Sequence, residues 1–248
     1  MKSKKNVYKY QYYPESRFGG FSDCDITIIF YCRVNALLSS ESVALDIGCG
    51  RGEYGEDTVS FRKGLKILKG KCRKVIGIDV DNEARHNPYI DEFYLIRPSE
   101  PWPIDTESID LAVCDSVIEH SMNPEQLFAE CNRVLKYGGY LCLKTPNIVS
   151  YFGLVSKLVK SESHDDFLKK IGIFKKIGTT YPAFYRCNTI KKVKKMMQKY
   201  AFESYVYGFE GEPGYLHFNK YLYFLGSLHQ RFAPKSIKTA ILAFGKKL

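Results

Sequence analysis

Two acids and three glycines give this 248-residue chain its most specific chemistry. Asp46 stands near the end of the apolar run Val43-Ala44-Leu45-Asp46-Ile47, and Gly48-Cys49-Gly50-Arg51-Gly52 follows at once. A second apolar run, Val75-Ile76-Gly77-Ile78, ends in Asp79. A strand, a glycine turn, a helix and a second strand tipped by a carboxylate make a nucleoside-binding βαβ unit. Glycines let backbone approach a ligand without a Cβ in the way, and the second acid can grip ribose hydroxyls. The dinucleotide fingerprint would instead open a helix directly onto a pyrophosphate. Here Glu53, Glu56 and Asp57 crowd that position. They repel a pyrophosphate and tolerate a zwitterionic ligand carrying a cation.

The combination resembles the first motif of class I S-adenosylmethionine-dependent methyltransferases. The segment from Trp102-Pro103-Ile104-Asp105 through Cys114-Asp115-Ser116-Val117-Ile118-Glu119-His120 resembles the family's acidic loop and fourth strand. Arg133 to Asn147, with Gly138-Gly139 inside it, resembles the family's helix, glycine turn and fifth strand. The likeness covers roughly residues 20 to 147 and is greatest to a bacterial branch found in cell-surface glycan gene clusters. Tyr181-Pro182-Ala183-Phe184-Tyr185-Arg186-Cys187-Asn188-Thr189 supports that branch.

The resemblance implies S-adenosyl-L-methionine as cofactor, with Asp46, Gly48, Cys49, Gly50 and Gly52 at its methionine end. Asp79 would take the ribose hydroxyls with Val80 beside it, and Asp115, Ser116 and Val117 would line the other side. One departure stands out. Relatives often carry an acid for the adenine amino group shortly before the Trp102-Pro103-Ile104 element, where this chain has Arg97-Pro98-Ser99-Glu100. Pro98 cannot serve, so Glu100 or a backbone carbonyl would substitute. His120 is the catalytic candidate, because an imidazole titrating near neutrality suits removal of a hydroxyl proton. The competing reading makes Glu119-His120 a structural fixture of the loop after strand four. Arg17, Arg51, Tyr12 and Tyr13 either close over the ligand or form ordinary surface contacts. His86, His164, His217 and His229 show no metal-ligand spacing, so no metal is expected.

These residues must be held by a doubly wound, Rossmann-like α/β fold. A mostly parallel seven-stranded sheet with an antiparallel last strand is expected. A helix is read in 25–38, strands at 43–47, 75–79, 92–97, 109–114 and 140–144, and a helix within 55–70 stopped by Gly70. A helix over 124–136 starts at the Asn123 cap and Pro124 and stops at Gly138-Gly139. Asn188 or Thr189 caps a helix to about Tyr200, whose Ile190, Val193, Met197 and Tyr200 share one face. A strand at 202–209 follows. Residues 237–248 read as a buried strand in preference to an amphipathic helix. The chain is taken as one domain, 1–248, with a cofactor core at 20–147. Insertions at 148–187 and 210–236 form a lid or substrate region; Val149, Phe152, Val155, Leu158 and Val159 suggest a helix in the first.

Composition is that of a globular protein, with 45% hydrophobic and 26% charged residues. The eight cysteines lack CxxC spacing and read as small buried hydrophobes in a reducing cytoplasm. No signal peptide or spanning segment is evident. The net charge of +10 is uneven: residues 146–248 hold 18 Lys and Arg against 6 Asp and Glu. That asymmetry points to an anionic partner, such as a phosphate-bearing or lipid-linked acceptor with peripheral contact at the inner membrane face, or nucleic acid less readily. The expected function is O-methylation of a sugar, sugar nucleotide or lipid-linked glycan in polysaccharide biosynthesis. An RNA methyltransferase and a non-catalytic cofactor-binding protein are the alternatives.

Overall fold

The computed structural model describes residues 5–151 and 181–248. Alternation of side chains along the strands sets the architecture. In β1 (Val43–Ile47), Val43, Leu45 and Ile47 point into one hydrophobic layer and Ala44 into the other. An apolar run with no polar face needs helices on both sides. α2 (Ile26–Leu37) supplies Phe30, Tyr31 and Val34 to one layer, and α4 (Pro124–Val134) supplies Phe128, Cys131 and Val134 to the other. β2 (Lys74–Asp79), β3 (Glu92–Leu95), β4 (Ile109–Asp115) and β5 (Leu135–Pro146) run parallel to β1. β7 (Ala240–Lys247) inserts antiparallel between β5 and β6 (Phe202–Phe209), giving the order β3-β2-β1-β4-β5-β7-β6. The doubly wound fold with an antiparallel last strand is therefore the one expected.

Caps fix most helix starts where the sequence places them. Asp25 accepts from Ile28 N–H at 3.0 Å, Asn123 from Gln126 N–H at 3.2 Å, and Thr189 from Lys192 N–H at 3.2 Å. α3 (Ser60–Lys66) is short and joins α2 through Arg62, which binds both Asp57 and Asp25. α5 (Ile190–Lys199) buries Val193 and Met197 and leaves its lysines outward. Two corrections concern the sheet. The helix expected over 124–136 ends at Val134, because Leu135 already pairs with Ile109 as the start of β5. Gly138, at φ +77, then serves a register shift in the strand, not a helix terminus. The third strand stops at Leu95 instead of residue 97.

The weakly patterned N-terminus also has structure. α1 (Lys5–Tyr12) and a 3-10 turn (Pro14–Arg17) pack against α6 (Lys220–Phe232), with Tyr13, Cys24 and Tyr223 as a small separate core. Six of the eight cysteines are buried as expected, but Cys72 is half-buried and Cys32 is exposed on the outer face of α2. All eight are free thiols. Of the helix expected around 149–159, all but Val149 and its two neighbours lies outside the described residues. No described helix is long and apolar enough to cross a membrane.

Gly208 gives the fold a direct test. A Cβ there would overlap the Lys235 carbonyl, which packs flat on β6. Gly208→Ala should cost about 1–3 kcal/mol in urea unfolding, as overpacking against backbone does. Unchanged stability would mean that the 235–237 turn is not seated on β6.

Candidate functional site

The chain order reverses at β1, which has β2 on one side and β4 on the other. Connections leave to opposite faces there, and a crevice opens at the carboxyl ends of the strands. Asp46 near the end of β1, Asp79 at the end of β2 and Asp115 at the end of β4 converge on it.

The glycine turn is tied to β2 by backbone. Gly48 and Cys49 N–H both donate to the Ile78 carbonyl, at 2.8 and 3.2 Å. Gly50 N–H donates to Asp79 Oδ2 and Asp81 N–H to Asp79 Oδ1, each at 2.9 Å. Gly48, Gly50 and Gly52 take φ of +67, +56 and +87, the left-handed region that side chains resist. A Cβ on Gly48 would also strike Val117, so the turn and the loop after β4 are in close contact. Asn87, not singled out by the sequence, closes the far side by donating to the Cys49 and Gly50 carbonyls at 2.9 and 3.2 Å. Asp79 is buried. Each of its oxygens takes one backbone N–H and keeps a lone pair for a further donor.

The other two carboxylates differ sharply. Asp115 binds Lys144 at 3.0 Å, accepts from Tyr31 Oη at 3.1 Å and from Ser116 Oγ at 3.0 Å. Burial works to raise its carboxyl, but Lys144 and then Lys66 hold it below the usual range. Among the described residues Asp46 has no such partner. Burial first, then Asp115 and Asp79, push it from the ordinary 3.8 up to about 7, against the pull of Lys66. Lys66 is itself held down by burial, with Asp115 opposing and Lys144 adding to the depression. The crevice thus has one recessed carboxylate short of a cation. Ser116, at φ +61, and Val80 are exposed beside it, and Val117 is half-buried.

These residues fit S-adenosylmethionine. Asp79 offers acceptors for two neighbouring hydroxyls, and Asp46 with the turn offers a seat for an ammonium group. Lys144, Lys66, Tyr31 and Asn87 are the site residues that sequence reasoning missed. Lys144 and Tyr31 sit in apolar runs where spacing marks only strand or helix.

His120 lies on the short 3-10 turn after β4. Its Nδ1 is 3.1 Å from the Pro182 carbonyl, which can only accept, so Nδ1 carries the proton and Nε2 is left as a base. Tyr181 packs edge-on against the ring at 6.3 Å, and its phenol is raised by burial and then by Asp79 and Asp81. One tyrosine therefore bridges His120 and the ribose side of the crevice. Glu119 points inward and is structural. Its carboxylate accepts from Thr145 Oγ1 at 2.9 Å, and its carbonyl accepts from Phe184 and Tyr185 N–H. Asn188 Nδ2 completes the network by donating to Thr145 Oγ1 at 2.6 Å. Burial raises the Glu119 carboxyl above its ordinary range.

Other candidates fall elsewhere. Arg51 pairs with Asp81 at 2.7 Å on the rim of the turn. Arg17 lies over the Tyr10 ring, and Tyr12 and Tyr13 pack on Tyr223, away from the glycine turn. Glu100 is an exposed partner of Arg97 at 3.7 Å. A second polar group lies past the end of β6, on the same edge of the sheet. His229 Nδ1 is 2.8 Å from Glu210 Oε2, and Tyr151 packs edge-on against that imidazole at 5.0 Å. Burial raises Glu210, while His229 and a hydrogen bond with Tyr151 act against that rise.

Two outcomes follow from the carboxylates. Because Asp46 titrates higher folded than unfolded, folding takes up a proton between about pH 4 and pH 7; its contribution falls as pH rises through that window and stays low above it. Asp46→Asn removes the penalty, so without ligand the variant should melt higher at pH 8, by about 2–4 °C for each kcal/mol recovered. The gap should close toward pH 4, and a variant melting no higher at pH 8 would contradict the burial argument. Asp79→Ala should weaken S-adenosylmethionine binding by about tenfold or more in calorimetry. It should also lower stability, because both Asp79 oxygens cap backbone N–H groups; full affinity would remove Asp79 from the site.

Residues 45–143 match the model of the methyltransferase domain family. A protein of Mycolicibacterium smegmatis named Probable S-adenosylmethionine-dependent methyltransferase is 34% identical over 115 residues, 43% of this chain and 39% of its own length. The chain thus spans well under half of that relative. A solved S-adenosylmethionine-dependent methyltransferase from Archaeoglobus fulgidus superposes with a TM-score of 0.52 at 16% identity, covering 94% of this chain and 97% of that one. Geranyl diphosphate C-methyltransferase from Streptomyces coelicolor, solved with S-adenosyl-L-homocysteine, gives 0.53 at 14% identity over 89% of this chain and 78% of that one. The structural likeness is one of fold, and the family match falls on the strands and turns that form the crevice. Residues 45–143 thus match the methyltransferase domain family, and the chain has the fold of the S-adenosylmethionine-dependent methyltransferases on which it superposes.

Proposed function

We propose that the protein methylates a hydroxyl oxygen of a sugar, a sugar nucleotide or a lipid-linked glycan. The observation that carries methyl transfer is the unpaired, recessed Asp46 between Asp79 and Asp115 at the strand switch point. S-adenosylmethionine supplies a methyl group on a sulfonium, already activated for in-line displacement. What remains for the chain is to align the acceptor, exclude water and receive a proton. Asp79 and the Gly48–Gly52 turn hold the nucleoside end, and Tyr181 covers the mouth. His120 Nε2 takes the proton that the hydroxyl releases as its oxygen gains the methyl group.

An oxygen acceptor is favoured by a histidine whose tautomer is set for base action. A polyhydroxylated acceptor is favoured by the Glu210, His229 and Tyr151 group on the same sheet edge, which gathers a carboxylate, an imidazole and a phenol. The basic C-terminal part suits a phosphate on that acceptor. The likeness of residues 181–189 to the glycan branch points the same way. The test is mass spectrometry of surface polysaccharide and lipid-linked precursors from cells with and without the chain. A methyl ether present only with the chain is the expected result; identical glycans together with a methylated RNA would replace this reading.

His120→Ala should slow transfer about 10²–10⁴-fold, while calorimetry shows cofactor affinity unchanged. An unaltered rate would leave His120 as a fixture of the Pro182 loop.

A further inference from the structure

α6 is turned inside out. A helix on a globular protein normally buries its apolar face. This one packs Tyr223, Gly226 and Ser227 inward and presents Tyr221, Phe224, Leu225, Leu228 and Phe232 to solvent. At helical spacing these five fall on one broad stripe. The exposures are 68% for Tyr221, 57% for Leu225 and 78% for Phe232, and 43% and 37% for Phe224 and Leu228. Phe218 in the preceding turn extends the stripe at 49%. Scattered exposed apolar residues are ordinary, but a continuous aromatic and leucine face is not.

The charge around the stripe indicates what covers it. From Pro213 to Leu248 the chain holds six Lys and Arg and no Asp or Glu. Lys220 and Arg231 flank the stripe on the helix itself, and Lys235 follows within three residues of its end. All three are exposed. An apolar stripe with exposed cations at both ends, on a helix that carries no acidic residue, matches an anionic lipid surface, with rings and leucines in the acyl boundary and the cations at headgroups. A second copy of the chain would bring the same cations against each other.

Position supports the same occupant. β6 ends at Phe209 and β7 begins at Ala240, opposite Pro146 at the end of β5, so the segment bearing α6 emerges at the carboxyl edge that also holds the crevice. We propose that α6 is a membrane-surface element that rests this edge of the protein on anionic lipid. The contact does not depend on methyl transfer. If the acceptor is lipid-linked, it brings the crevice to where that acceptor lies.

The test is co-sedimentation of the full chain with vesicles of phosphatidylcholine alone or mixed with phosphatidylglycerol. Binding to the anionic vesicles, weakened by salt, is expected. The variant Leu225→Ser with Leu228→Ser and Phe232→Ser should lose about tenfold or more of that binding. Its melting temperature and its S-adenosylmethionine affinity should stay as in the parent, because none of the three side chains is buried or at the crevice. Wild type left in the supernatant, or a variant that binds equally, would overturn the proposal. So would a wild-type dimer that the variant breaks with no vesicle binding in either, which would make the face a self-association surface. Unchanged cofactor affinity in each case separates this outcome from any failure of the methyl-transfer reading.

Discussion

Carboxylates at the ends of three parallel strands share one crevice, and the rest of the site is arranged around their mutual repulsion. β1, β2 and β4 must end together, because their pairing places Asp46 beside Gly77 and Val113. The chain relieves the charge unevenly. Asp115 has Lys144, Tyr31 and Ser116, and Asp79 has two backbone N–H groups, while among the described residues Asp46 has only the pull of Lys66. A fully compensated crevice would be more stable and would have no preference for a cation. The imbalance at Asp46 is thus a stability cost, of the kind expected at functional sites.

The glycines and the loop after β4 form one unit. Left-handed backbone at Gly48 and contact with Val117 mean that the turn cannot move without the loop that carries His120. That loop is fixed to the 181–189 segment through the Glu119 carbonyl and through Glu119, Thr145 and Asn188. The geometry of the turn after β1 and that of the loop carrying His120 are therefore coupled by packing and hydrogen bonds. Glu119 holds this loop in place through its buried carboxylate and its carbonyl. The inward burial of its carboxylate excludes it from direct contact with an acceptor at the mouth.

Much of this was legible in the residues. Strict apolar runs ending in acids located β1, β2 and β4 closely, and 202–209 was read without error as β6. Cap chemistry at Asn123 and Thr189 marked helix starts. What failed were signals with two physical causes. A glycine pair can end a helix or permit a bulge, and at Gly138-Gly139 the competition was decided by Leu135 pairing with Ile109. Cysteine favours burial on average, but Cys32 is exposed on the outer side of α2. Lys144 and Tyr31 were invisible because a charge partner more than twenty residues away leaves no local pattern. The reversed face of α6 also escaped notice, since its composition is the same whichever side faces out.

Direct titration of the chain with S-adenosylmethionine in a calorimeter, at pH 6 and at pH 8, bears most directly on the crevice. Saturable binding at both values, tighter at pH 8 where Asp46 is ionised, is the predicted result. No heat at either pH, or affinity that falls on going from pH 6 to pH 8, would contradict a site built around an unpaired carboxylate.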